Sequence, residues 1–109
     1  MDNLSQSKFF NSDKDGKSFK ESFQNSSNAV LLDVRTPEEY LSGTLEGAIN
    51  MDYYAPDFES KITSLDKDKE YFVFCRSGNR SGKTCNLLVN NGVNSFNLQG
   101  GIGEWPDDL

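Results

Sequence analysis

Apolar residues along this chain gather in short runs, separated by stretches rich in Ser, Asn, Asp, Lys and Gly. AVLLDV (29–34), a continuous apolar run with an acid at its end, and YFVF (71–74) have the pattern of strands covered on both faces. Ala48-Ile49-Asn50 predicts a short strand, and SFNLQ (95–99) a last one. The segments between them read as helices. Thr36 is placed to N-cap a short helix with Pro37 at its first position, ending near Gly43. Asp57 to Leu65 carries Phe58, Ile62 and Leu65 at helical spacing. A further helix runs to about Asn90, where Asn91-Gly92 stops it. Gly100-Gly101 then turns the chain into a terminal helical stretch holding Trp105, read as a core plug. Residues 1–28 are polar, with Phe9, Phe10, Phe19 and Phe23 as packing anchors. A loose start is expected there, followed by a short helix near 18–25. Strands alternating with helices define the α/β class: a mostly parallel sheet of about five short strands flanked by helices. One domain is expected, its main part at 29–109, with 1–28 as an extension carrying the first short helix.

The length of 109 residues suits one core that needs no disulfides. No run approaches the ~20 apolar residues of a membrane span. No apolar segment of the secretory kind opens the chain, so a cytoplasmic location is expected. A net charge of −6 argues against nucleic acid as partner, but its distribution says more than its total. From Cys75 to Gly103 there is no Asp or Glu, while Arg76, Arg80 and Lys83 all lie there. An acidic chain keeps one acid-free island, which suits a small anion site. There are two cysteines and no histidine. That set makes neither a disulfide framework nor a four-ligand zinc site, and it removes Cys-His proteases from consideration. No metal or cofactor is implied.

The island opens with YFVFCRSGNRSGKT (71–84), which bears on three kinds of anion-handling loop. Gly82-Lys83-Thr84 ends like a Walker A loop, but that loop needs its first glycine at residue 77, which is Ser77. Lys83 and Thr84 then read as an exposed first-turn lysine and a helix threonine. A phosphatase C-x5-R loop would place arginine at residue 81, which is Ser81, with Arg80 one residue short. A loop one residue tighter has less room for a tetrahedral phosphate. The third kind, a sulfur-transfer loop, fits.

CRSGNRS after an apolar strand resembles the active-site loop of the rhodanese (thiosulfate sulfurtransferase) family in its single-domain form. LLDVRTPEEY resembles that family's Asp-x-Arg strand, SGTLEGAIN its G-H-I-P-G-A-I-N segment, and LQGGIGEW its L-x-G-G-x-x-x-W ending. The four blocks run in the family's order from about residue 31 to 105. Thr44 and Glu46 replace the family's usual His and Pro, and Arg76 alone follows the cysteine where double-domain members carry a basic pair. The resemblance implies a rhodanese-like fold and sulfane-sulfur transfer through a persulfide on Cys75. It implies a small anionic donor, thiosulfate or a persulfide, and a thiol, cyanide or thioredoxin-like acceptor, with a cysteine desulfurase as another source.

A cysteine where a strand meets a helix sits among converging backbone N–H groups, which favour a thiolate without an imidazole. Gly78 gives the turn its freedom, and Ser77, Gly78, Asn79 and Arg80 are the expected substrate-binding loop. Arg76 is the candidate for the donor's sulfonate or an acceptor's carboxylate. Arg80 has two readings: it lines the pocket, or it pairs with Asp33 and braces the loop, the reading preferred. Asp33, Arg35 and Ser81 are expected as structural support. Cys85 shares a helical stripe with Ser81, Leu88 and Val89, so it reads as a buried core thiol rather than a resolving cysteine. Two other functions stay open: a non-catalytic persulfide carrier or binding module serving a protein partner, and a cysteine-based phosphatase or arsenate-reductase relative.

Overall fold

A computed structural model of the chain describes residues 11–106. Among these residues five strands form one parallel sheet: β1 (Asn11–Lys14), β2 (Ala29–Asp33), β3 (Ile49–Asn50), β4 (Glu70–Phe74) and β5 (Ser95–Leu98). Their order across the sheet is β1-β5-β4-β2-β3. Four α-helices connect them: α1 (Gly16–Asn25), α2 (Pro37–Leu41), α3 (Phe58–Thr63) and α4 (Asn79–Asn90), with a 3-10 turn at Ile102–Glu104.

The apolar runs are explained by the two cores they feed. Leu32, Val34, Tyr71, Val73 and Cys75 face one side, packed with Phe58 and Ile62 of α3 and Cys85 and Leu88 of α4. Leu31, Phe72, Phe74 and Leu98 face the other side with Phe19 of α1. Successive strand residues point to opposite faces, so a strand covered on both is apolar wherever a polar group has no partner. Trp105 closes the second core, 6.1 Å from the rings of both Phe19 and Phe23. It follows the 3-10 turn rather than lying within a helical stretch.

Local signals set the element ends. Thr36 caps α2 in a full capping box: its hydroxyl accepts from Glu39 N, and the Glu39 carboxylate accepts from Thr36 N. At the end of α4, Gly92 takes φ 80°, Gly92 N donates to Val89 O and Val93 N to Leu88 O. That pair of bonds is a Schellman stop, the reason Asn91-Gly92 ends the helix.

The expected boundary between an extension at 1–28 and a domain at 29–109 is not a boundary in this fold. β1 pairs with β5 along its whole length, and Phe19 is fully buried. The helix foreseen near 18–25 begins at Gly16, where Asp15 accepts from Ser18 N at 2.9 Å. NSDK has no apolar period to announce a strand; it is held by backbone pairing at a sheet edge. Phe9 and Phe10 lie outside the described residues. Among the described residues, no helix is long and apolar enough to cross a membrane.

Candidate active site

β4 ends at Phe74, and Cys75 follows at the carboxyl edge of the sheet. The chain then turns through Gly78, left-handed at φ 95°, which is the N-cap of α4. This geometry brings the first amides of α4 back over the cysteine. Gly78 N donates to Cys75 Sγ at 3.1 Å and Ser81 N at 3.4 Å, while Ser81 Oγ stands 3.3 Å away. Burial pushes the thiol up, yet the balance lies below its ordinary value: the Ser81 hydroxyl and amide, with the Ser77 and Gly78 amides, favour the anion. The sequence expectation of an imidazole-free thiolate site has this geometry behind it.

The loop is fastened from outside. Ile102 N donates to Cys75 O at 2.9 Å, tying the glycine pair to the loop. A side chain at Gly101, φ 89°, would overlap the Arg76 carbonyl and the Ser77 amide. Asn97 on β5 donates from Nδ2 to Gly78 O at 3.2 Å and to Asp13 Oδ1 at 2.9 Å, and Ser81 Oγ donates to Asn97 Oδ1 at 2.6 Å.

The expected Asp33–Arg80 pair does not form. Asp33 is fully buried and already satisfied: Arg35 donates to it from N, Nε and Nη2 at 2.8–3.3 Å, and Thr44 Oγ1 at 2.8 Å. Arg35 Nη2 also donates to Gly43 O at 2.7 Å. This hub supports the 43–50 segment, and Thr44, which stands in place of the family's usual His, contributes a hydroxyl to it. Arg80 reaches Glu39 instead, and its guanidinium lies 5.6 Å from the centroid of the exposed Tyr54 ring. Arg80 is therefore joined to α2 and not to Asp33 of β2. Asp33 is two residues from Arg35, which fills its acceptors before a residue from α4 can.

Ser77 and Asn79 are exposed on the loop, as is Arg76, whose side chain makes no ion pair among the described residues. Ser81 does more than support: it touches the sulfur twice. Lys83 is exposed, and Thr84 Oγ1 donates back to Arg80 O, so both are the helix residues they were read as. Cys85 is fully buried, and burial pushes its thiol up to about 12. Glu39 and Asn97 were not foreseen. The T-x-x-E spacing from Thr36 was available for Glu39; for Asn97 the signal was a polar residue inside a buried strand.

The family model for the Rhodanese-like domain matches residues 16–108. This chain belongs to the rhodanese-like family. The match begins at α1, in agreement with a fold that includes that helix. The Bacillus subtilis protein YtwF, provisionally named a sulfurtransferase, is 36% identical over 89 residues, covering 82% of this chain and 84% of its own. A protein of Allochromatium vinosum named a sulfurtransferase is 29% identical over 92 residues, 84% of either chain. The crystal structure of a rhodanese-like domain protein from Staphylococcus aureus superposes with a TM-score of 0.72 at 26% identity, over 90% of this chain and 92% of that one.

Proposed function

We propose that this protein is a sulfurtransferase that carries a sulfane sulfur on Cys75. The observation that carries the reading is the amide cradle: Gly78 N and Ser81 N aimed at Sγ at 3.1 and 3.4 Å, in a chain without histidine. Such donors suit a thiolate nucleophile and, after it, an anionic adduct held at the N-terminus of a twelve-residue helix. With thiosulfate as donor, Cys75 S⁻ attacks the outer sulfur. The new S–S bond forms as the bond to the sulfonate breaks, and its electron pair leaves with sulfite. An acceptor thiolate or cyanide then attacks the outer persulfide sulfur and the pair returns to Cys75 as thiolate. Arg76, exposed beside the cysteine, is the residue proposed to hold the donor's sulfonate or an acceptor's carboxylate. Ser77, Gly78 and Asn79 shape the mouth of the loop. Arg80 holds the loop's helix through Glu39 and adds positive charge near the sulfur. A cysteine desulfurase or a low-molecular-weight persulfide would serve the same chemistry as donor, and a thioredoxin-like dithiol as acceptor. A cytoplasmic setting, where such thiols are reduced, accords with two free cysteines.

Intact-mass spectrometry after incubation with thiosulfate, cysteine persulfide or a desulfurase tests the reading. Wild type should gain one sulfur atom and Cys75→Ser none. A wild type that gains nothing from any donor overturns it. Turnover with thiosulfate and cyanide then separates an enzyme from a carrier that passes sulfur only to a docked protein.

A further inference from the structure

We propose that Asn97, on β5, is a positioning residue that competes with the Cys75 sulfur for the single hydroxyl proton of Ser81. Asn97 is 5% exposed and sits behind the loop. Its amide orientation follows from its neighbours. Asp13 Oδ1 at 2.9 Å and Gly78 O at 3.2 Å are acceptors only, so Nδ2 must face them. Oδ1 is left facing Ser81 Oγ at 2.6 Å, and Ser81 must donate there. The same Ser81 oxygen stands 3.3 Å from Cys75 Sγ. One hydroxyl proton therefore has two claimants.

The two claims belong to different states of the sulfur. As a thiol, Cys75 donates S–H to Ser81 Oγ, and Ser81 donates to Asn97; every proton has an acceptor. As a thiolate, the sulfur needs a donor. Ser81 must give up its 2.6 Å bond and turn, or leave a lone pair facing an anion. Either way Asn97 makes the empty thiolate less comfortable and keeps it reactive. Once the sulfur is loaded, the negative charge moves to the outer atom, and the Ser81 proton returns to Asn97. The groups facing this cluster are Arg80 and Cys85 from α4 and Asp13 from β1, with Arg76 next in the chain. Their contributions are common to all the variants below.

The proposal deepens the sulfur-transfer reading and rests on it only in taking Cys75 as the reacting thiol. The test follows the Cys75 13Cβ chemical shift against pH in protein labelled at cysteine, with Cys75→Ser identifying the signal. Ser81→Ala should raise the midpoint. Asn97→Ala and the strand-compatible Asn97→Val should lower it by about half to one pH unit. In the Ser81→Ala background the same Asn97 substitutions should leave it unmoved. An unchanged or raised midpoint in the single Asn97 variants overturns the proposal, as does an equal shift without Ser81, which would trace the effect to the Gly78 carbonyl. Should both Asn97 variants fail to fold, the wild-type S–H infrared band decides. A band displaced to the hydrogen-bonded position supports the arrangement; one at the free-thiol position overturns it. Neither readout requires sulfur transfer, so a failure to load sulfur would count against the proposed function and leave this arrangement standing.

Discussion

Arg80 and Glu39, 41 residues apart in the chain, are joined by two hydrogen bonds, Nη1 to Oε1 at 2.9 Å and Nη2 to Oε2 at 3.2 Å. The same Oε1 accepts from Thr36 N at 3.0 Å. One carboxylate thus closes the capping box of α2 and clamps the first turn of α4, the helix whose amides hold Cys75. The start of one short helix becomes the buttress of the loop.

This clamp should make stability depend on acid pH. Arg80, and after it Thr36, holds the Glu39 carboxyl at about 2 against an ordinary 4.5. A depressed folded-state value contributes stability above the unfolded value, lost as pH falls from about 4.5 towards 2. With the two side chains 16% and 28% exposed, solvent screens part of it. Glu39→Gln should cost about 1–2 kcal/mol at neutral pH. It should also flatten the decline below pH 4.5 in denaturant melts across that range. A decline as steep as in wild type would mean that other carboxylates carry it.

Gly101 and Gly47 should respond differently to alanine. Both have positive φ, 89° and 85°, but only at Gly101 would a Cβ strike backbone, that of Arg76 and Ser77. Gly47→Ala should cost about 1 kcal/mol, the left-handed strain alone. Gly101→Ala should cost at least ~3 kcal/mol and abolish sulfur loading, because the loop must move. Thermal melts and intact mass of the two variants, side by side, check this.

Cys85 should be a packing residue with an alkaline signature. Its buried thiol is pushed up to about 12, so its contribution to stability is whole below the unfolded-state value of about 8.5. That contribution fades as pH rises above this, because only the unfolded chain ionises readily. Cys85→Ala should cost about 1–2 kcal/mol at neutral pH, less at pH 10, and leave turnover near wild type. Iodoacetamide should modify Cys85 only after denaturation.

Arg76→Ala should act on the donor rather than on the fold. The side chain is exposed and without an ion pair among the described residues, so melting temperature should hold. Losing one charge-assisted contact should lower kcat/KM for thiosulfate roughly ten- to a hundredfold, mainly through KM. Steady-state kinetics at low and high salt would read it; an unchanged KM would assign the donor to the backbone amides alone.

The layered α/β arrangement was legible in the residues alone, because strands covered on both faces are mainly apolar, and YFVF and all of AVLLDV but Asp33 are. The candidate nucleophile was legible there as well, since Cys75 follows such a strand and precedes a glycine turn, and loop length separated it from the C-x5-R class. Local stops and caps at Thr36 and Gly92 were equally legible, being contacts between residues a few positions apart. What spans the chain was not. β1 has a polar sequence and exists through its pairing with β5. For Arg80 the sequence suggested Asp33, and only the packing of α2 against the start of α4, with Arg35 already filling Asp33, set Glu39 beside it. Asn97 read as one polar residue in a strand; its meaning comes from Asp13, Gly78 and Ser81 meeting around it. Periodicity reports which face a residue takes, whereas the partner of a hydrogen bond is fixed by which elements the fold sets side by side.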